Sequence, residues 1–139
     1  MFDRVPKTYD DPKEWFNYFR MTKYLPAMPR KFEQQMGRVP TAEAARTVMT
    51  AFASAALDIM LMYPSSSKTF ARDMELSCGL RPDHLLQLSV DELAKPLKVS
   101  APELSSKLSE AGFSVDAKGA ITSFTRPAPD AKPQRAPKI

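Results

Sequence analysis

Glycine, cysteine and histidine are all scarce in this chain of 139 residues, which holds four, one and one of them. A lone cysteine, Cys78, leaves no intrachain disulfide and suits a reducing compartment. Cys78, Asp83 and His84 are the only conceivable metal-binding cluster. A closed zinc site needs four ligands, usually several cysteines or histidines, so no metal is expected. A Ser-His or Cys-His nucleophile pair would have to use His84, and no nucleophile elbow accompanies it. Gly37, Gly79 and Gly112 each follow a predicted helix, where a left-handed residue is wanted, and Gly119 sits in a predicted hairpin turn. None is left over for a phosphate-cradling loop, and neither G-x-x-x-x-G-K nor G-x-G-x-x-G occurs. No cofactor is expected, and the chain reads as a non-enzyme.

Long apolar runs are missing as well. The stretch 48–63 has 16 residues and contains Asp58, short of the roughly 18–20 that a membrane span needs. The opening "MFDRVPKTYDD" has no apolar h-region and is too acidic for an ordinary organellar transit peptide. The expectation is an intracellular protein of a reducing compartment, cytoplasmic or in an organellar matrix, and not secreted.

What is present is an ordinary apolar fraction, 43%, with a net charge of +4 and a pI near 9.3. The charge is unevenly placed. Residues 1–40 hold 8 basic and 5 acidic groups, and residues 126–139 hold 4 and 1, so each end carries +3. The segments 41–80 and 81–125 carry −1 each. Basic ends around a neutral middle fit extensions that lie on acidic or phosphate-rich neighbours, as well as plain solvated ends.

Caps and breakers divide the chain. Residues 1–10 form an irregular segment. Asp11 caps a helix over 12–24 with Pro12 at its first position, and Trp15, Phe16 and Phe19 make its apolar stripe. "PRKFEQQMG" allows two helical turns ending at Gly37. Thr41 caps the longest helix, 42–63, which Pro64 stops, for a length of about 33 Å. Ser67 caps a fourth helix closed by Gly79. Pro82 opens a short turn through Leu88. Ser89 with Glu92, and Ser100 with Glu103, fit S-x-x-E capping boxes. "FSVDAKGAITSF" reads as a β-hairpin turning at 116–119. The tail 126–139 has four prolines and no apolar periodicity, and should be a disordered or extended basic arm. The fold class is therefore mainly α: one helical domain, 11–125, around a central helix, with one C-terminal hairpin and an extended tail.

From Val48 onward the central helix is apolar on most sides, more than so short a chain readily covers. Part of it is expected to meet another subunit, and Val48, Phe52, Ala55, Asp58, Ile59 and Met62 are the candidate interface. Asp58 should have a partner, because a lone charge on an apolar helix is costly. Arg46 lies about 18 Å away by helix rise, so that partner should come from another element or another chain. Contacts to RNA or an acidic partner are expected at Arg20, Lys23, Arg30, Lys31 and Arg38, which are interleaved with Phe19, Tyr24 and Phe32, and in the tail at Arg126, Lys132, Arg135 and Lys138. The alternative puts those aromatics in the core with the cations as their solvated flank.

Residues 89–124 carry Leu93, Ala94 and Leu97, then Val99 and Ser100 in a turn, then Leu104, Leu108 and a closing Gly112. This pattern resembles winged-helix and helix-turn-helix modules, including the N-terminal module of bacterial translation initiation factor two. The resemblance implies a recognition helix at 101–111 and a wing at 113–124. Pro96 departs from it and must shorten or kink the first helix. The second helix also departs, exposing Glu103, Ser105, Ser106, Lys107, Ser109 and Glu110. Phosphate neutralisation needs several Lys or Arg, and base readout wants Arg, Asn or Gln. One lysine and two acids suit packing or protein docking better than a DNA groove.

The expected function is a non-catalytic structural or interaction subunit of a larger assembly, with protein partners, in an organellar respiratory or ribosomal complex. The alternative is a small winged-helix-type nucleic-acid-binding module, for RNA more than DNA.

Overall fold

A computed structural model of the chain describes residues 5–62 and 66–126. Most of the tail, the stop at Pro64 and the start of the N-terminal segment lie outside the described residues.

Helix α1 (Pro12–Arg20) begins as its sequence asks, with the Asp11 carboxylate accepting the Lys13 N–H at 3.0 Å. It ends four residues before Tyr24. Pro26 cannot donate to the Thr22 carbonyl and its ring crowds that turn, so the chain leaves the helix and re-forms as a 3-10 turn, Leu25–Ala27. Helix α2 (Met28–Met36) follows. Its closing residue, Gly37, is right-handed (φ −72°), so the left-handed conformation expected there is not used. Helix α3 (Ala42–Met62) starts at Thr41, whose hydroxyl accepts the Ala44 N–H at 3.0 Å.

Helix α4 (Phe70–Cys78) begins at Thr69 rather than at Ser67. The Ser67 hydroxyl instead donates to the Glu110 carboxylate at 3.3 Å. Gly79 ends α4 with φ +75°, and a Cβ there would lie 2.6 Å from the Pro29 ring. This glycine is needed for its conformation and also for the close approach of α2 to the end of α4.

The C-terminal part comprises α5 (Pro82–Leu85), α6 (Val90–Ala94), α7 (Ala101–Glu110), β1 (Phe113–Val115) and β2 (Ile121–Phe124). Helix α6 stops two residues before Pro96, as that proline dictates. Helix α7 has a full capping box: Ser100 Oγ accepts the Glu103 N–H, and the Glu103 carboxylate accepts the Ser100 N–H. The strands are antiparallel, pairing Phe113 with Phe124 and Ser114 with Ser123. Asp116 shapes their turn, its carboxylate accepting the N–H groups of Lys118 and Ala120 at 2.9 Å.

The other edge of β2 is also paired. Gln87 N–H donates to the Ile121 carbonyl at 2.7 Å, Ile121 N–H to Leu88, and Val90 N–H to Gly119. Ser89 forms an antiparallel bridge with Ala120. Leu88 and Ser89 thus form a short extended stretch beside β2 between α5 and α6, with Gln87 taking a positive φ of 73° to turn into it.

One hydrophobic cluster runs from Trp15 to Ile121. Helices α1, α2, α4, α5 and α6 all pack on α3. Against it stands an aromatic ladder: Tyr9 stacks on Trp15, Trp15 leans on Phe19, and Phe19 on Phe52, which stacks on Phe32 at 4.3 Å. Burying each such side chain contributes about 2–3 kcal/mol.

Candidate interaction surfaces

The structure corrects the expected α3 interface. Val48, Phe52 and Ala55 are fully buried and Ile59 nearly so, all inside the chain's own core. Apolarity on most sides of α3 marks coverage by the chain itself, since five helices pack on it. By length and composition alone α3 is apolar enough to cross a membrane, more so than its uninterrupted run suggested, yet 61% of that stretch is buried within the fold. Of the other two of the six, Asp58 is half-buried and Met62 is 60% exposed at the helix end.

Asp58 finds its partner on α1. Arg20 Nε donates to its Oδ2 at 2.6 Å, with both side chains about 30% exposed, and Arg20 Nη2 lies 2.9 Å from Met62 Sδ. This pair joins the C-terminal ends of α1 and α3, which places the two helices side by side in the same direction. It also withdraws Arg20 from the expected RNA-contacting set.

Lys23, Arg30 and Arg38 are exposed, and Lys31 lies over the Tyr18 ring at 4.7 Å. Phe19 and Phe32 are buried, so they offer no face for a base, and Tyr24 alone of the three aromatics is exposed. Arg126 is exposed at the end of the described chain, while Lys132, Arg135 and Lys138 lie outside the described residues.

The candidate chemical groups are held by structural contacts. Cys78 is buried, and burial pushes its thiol up to about 11. Such a thiol is a poor nucleophile. His84 Nδ1 accepts the Arg81 N–H at 3.0 Å, and its ring stands edge-on to Phe32 and Phe52. Burial and the nearby Arg81 guanidinium lower its basicity. Among the described residues no group of three acids, histidines or cysteines could hold a metal ion.

Helix α7 shows the opposite pattern to α3. Leu104 and Leu108 are buried, while Glu103, Ser106, Lys107, Ser109 and Glu110 are exposed and Ser105 is half-buried. The outward face is therefore the one its sequence predicted. Its acids sit at both ends, and the Ser100 cap holds the Glu103 carboxyl below its usual range.

The sequence did not reveal a cleft of about 640 Å³ between α1, α3 and the end of α6. Its lining includes Lys13, Phe16, Arg46, Thr50, Ala51 and Lys95. Ser54 ties the inner wall together, its hydroxyl donating to the Leu93 carbonyl at 2.9 Å. The only sequence signal was the polar stripe Thr50–Ser54–Asp58, and nothing in spacing indicates which element faces it. Comparison with known protein families, with curated proteins and with solved structures finds no match to this chain.

Proposed function

We propose that this protein is a non-catalytic interaction subunit of a larger assembly, and that it docks on a protein partner through the outward face of α7. The observation that carries this reading is the outward face of α7, made of serines, glutamates and one lysine, on a segment whose sequence resembles a winged-helix unit. The order helix, extended segment, helix, helix, hairpin, with Ser89 bridged to Ala120, supports reading 82–126 as such a unit. A phosphate backbone would meet Glu103 and Glu110 before any cation but Lys107. Serines and carboxylates instead suit the hydrogen-bonding rim of a protein interface. Basic ends of +3 each fit acidic or phosphate-rich neighbours, such as a respiratory or ribosomal complex provides.

The test is affinity purification of the full chain from native extract, beside a Ser106→Arg/Ser109→Arg variant. A stoichiometric protein partner that the variant loses, with its thermal melt unchanged, supports the reading. A partner profile unaffected by the substitution refutes docking through α7.

The second reading is a nucleic-acid-binding module, favoured by the exposed Lys95, Lys98 and Lys118 of the segment 89–124 and by the bridge of Ser89 to Ala120 beside the hairpin. Labelled RNA and duplex DNA titrated across a salt series decide it. A steep loss of affinity with salt, relieved by neutralising those lysines, selects it over protein docking.

A further inference from the structure

His84 holds the short helix α5 to the core through contacts that suit only a neutral ring. Both ring nitrogens face donors of Arg81. Nδ1 accepts the Arg81 N–H at 3.0 Å, and Nε2 lies 3.4 Å from the guanidinium Nη2. A neutral imidazole can accept at one nitrogen, and an imidazolium at neither. Asp83 fixes the guanidinium beside the ring, at 3.2 and 3.3 Å. The ring also stands edge-on to Phe32 of α2 and Phe52 of α3, with centroids 5.4 and 6.1 Å away. It is half-buried, so protons reach it.

The charges around the ring are mixed. Arg81 opposes a proton there, whereas Asp83 and, from α4, Glu75 favour one. Phe32 and Phe52 carry no charge, and β2, which also packs on α5, has no titratable side chain. Burial and Arg81 outweigh the two carboxylates. Few other side chains anchor this helix, since of its four residues only Leu85 is buried. The segment 80–86 is bounded by two left-handed residues, Gly79 at φ 75° and Gln87 at φ 73°. For Gln87 that conformation is strained, and opening relieves it. Directly after this hinge come the backbone bonds that clasp β2, from Gln87 N–H to Ile121, Ile121 N–H to Leu88 and Val90 N–H to Gly119.

We propose that His84 is a proton-operated latch. With its ring neutral it fastens α5, and through α5 the clasp on β2, to the aromatic rings of α2 and α3. Once protonated it lets both open locally while the core stays folded. The latch is independent of what docks on α7.

The test is amide hydrogen exchange of the full chain, labelled with nitrogen-15, at pH 7.5 and 6.0. Histidine is the side chain that ordinarily titrates across this range. Dividing by the intrinsic rate of an unprotected amide at each pH leaves the opening equilibrium. The amides of Gln87, Val90 and Ile121 should open more often than those of Ala53 and Leu57, which are fully buried in α3 and exchange through global unfolding. The open state takes up the proton at the ordinary value of 6.5 and the closed state below it, so opening is favoured as pH falls. Between pH 7.5 and 6.0 it should grow by up to about fourfold, the linkage limit for one proton. In His84→Gln this growth should vanish, to a ratio near one. Clasp amides that open no more often than those of α3, no growth with acid in the parent chain, or growth that survives in His84→Gln would each overturn the latch. The first two outcomes need only the parent chain, so a variant that fails to fold leaves the test intact.

Discussion

Helices α3 and α7 are stabilised by different physics. In α3, 12 of the 21 residues are buried and the acidic side chain near its end is paired to a neighbouring helix. In α7, two of ten are buried, and the ends are fixed by a capping box and a tight C-terminal turn. Burial holds the first element and local hydrogen bonds define the second. Where α3 is covered by its own chain it has no surface left for a partner, however apolar its sequence. A helix defined by its caps keeps an outward face available for one.

The strongest test of this contrast is to remove mass from the α3 core. Phe52→Ala deletes a ring stacked on Phe32 and packed on Phe19, and should cost about 3–5 kcal/mol in urea unfolding. A smaller truncation on α7's inner side, Leu108→Ala, should cost about 2–4 kcal/mol, because that leucine is as buried but loses three carbons where Phe52 loses six. A cost at Phe52 of 1 kcal/mol or less would mean that α3 is not covered by its own chain, and the surface reading of that helix would return.

Gly79→Ala probes the same region through the backbone. The left-handed conformation costs an L-residue about 1–2 kcal/mol, and the new Cβ must displace the Pro29 ring. The expected loss is about 2–3 kcal/mol, above what strain alone would produce. Gly37→Ala, at a right-handed position with room for a Cβ, should be neutral or slightly stabilising. Equal effects at the two glycines would show that α4 does not close against α2 as described.

That pair also shows what could be read in the sequence. Glycines after helices were legible as stops, because a helix end needs a carbonyl-satisfying turn whatever surrounds it. Which of them is left-handed was not legible: Gly79 and Gly112 take positive φ and Gly37 does not, and the Pro29 ring that excludes a Cβ at Gly79 arrives from another element. The same division holds elsewhere. Asp11, Thr41, Ser89 and Ser100 marked helix starts correctly, since capping acts within four residues. Ser67 failed at this because its hydroxyl goes to Glu110, 43 positions away. The hairpin was legible from Asp116 and Gly119, but the bridge of Ser89 to Ala120 was not, since a two-residue extended stretch has no alternation to show. The exposure of α7's outward face was legible in its spacing, Ser105 excepted. The α3 interface was not, because periodicity reports that a face is apolar and leaves unsaid what covers it.

Two smaller perturbations compare the ends of the helices. In a double-mutant cycle, Arg20→Ala and Asp58→Ala should show about 1 kcal/mol of coupling within the monomer, because the pair is only partly screened by solvent. The coupling should shrink in high salt. Ser100→Ala should lose about 1 kcal/mol through its cap. No coupling between Arg20 and Asp58 would reopen a contact of Asp58 with another chain.

The smallest effect separates the two regions by pH. His84 leans on Phe32 and Phe52, and its folded-state pKa is lowered from 6.5 by burial first and by Arg81 second. Below that value the unfolded chain binds the proton more readily than the folded one. Stability from this group is therefore present above pH 6.5 and is lost as pH falls. Protonation also removes Nδ1 as acceptor for the Arg81 N–H. Glu103 is likewise lowered, from 4.5, by its hydrogen bonds to Ser100, so its contribution is lost only further down, as pH falls below 4.5. Urea midpoints measured from pH 7 to 4 should thus decline in two steps. His84→Gln should remove the upper step, at the α3 core, and Glu103→Gln should soften the lower one, at the α7 cap. A single step that neither variant alters would mean that another group governs the acid response of both regions.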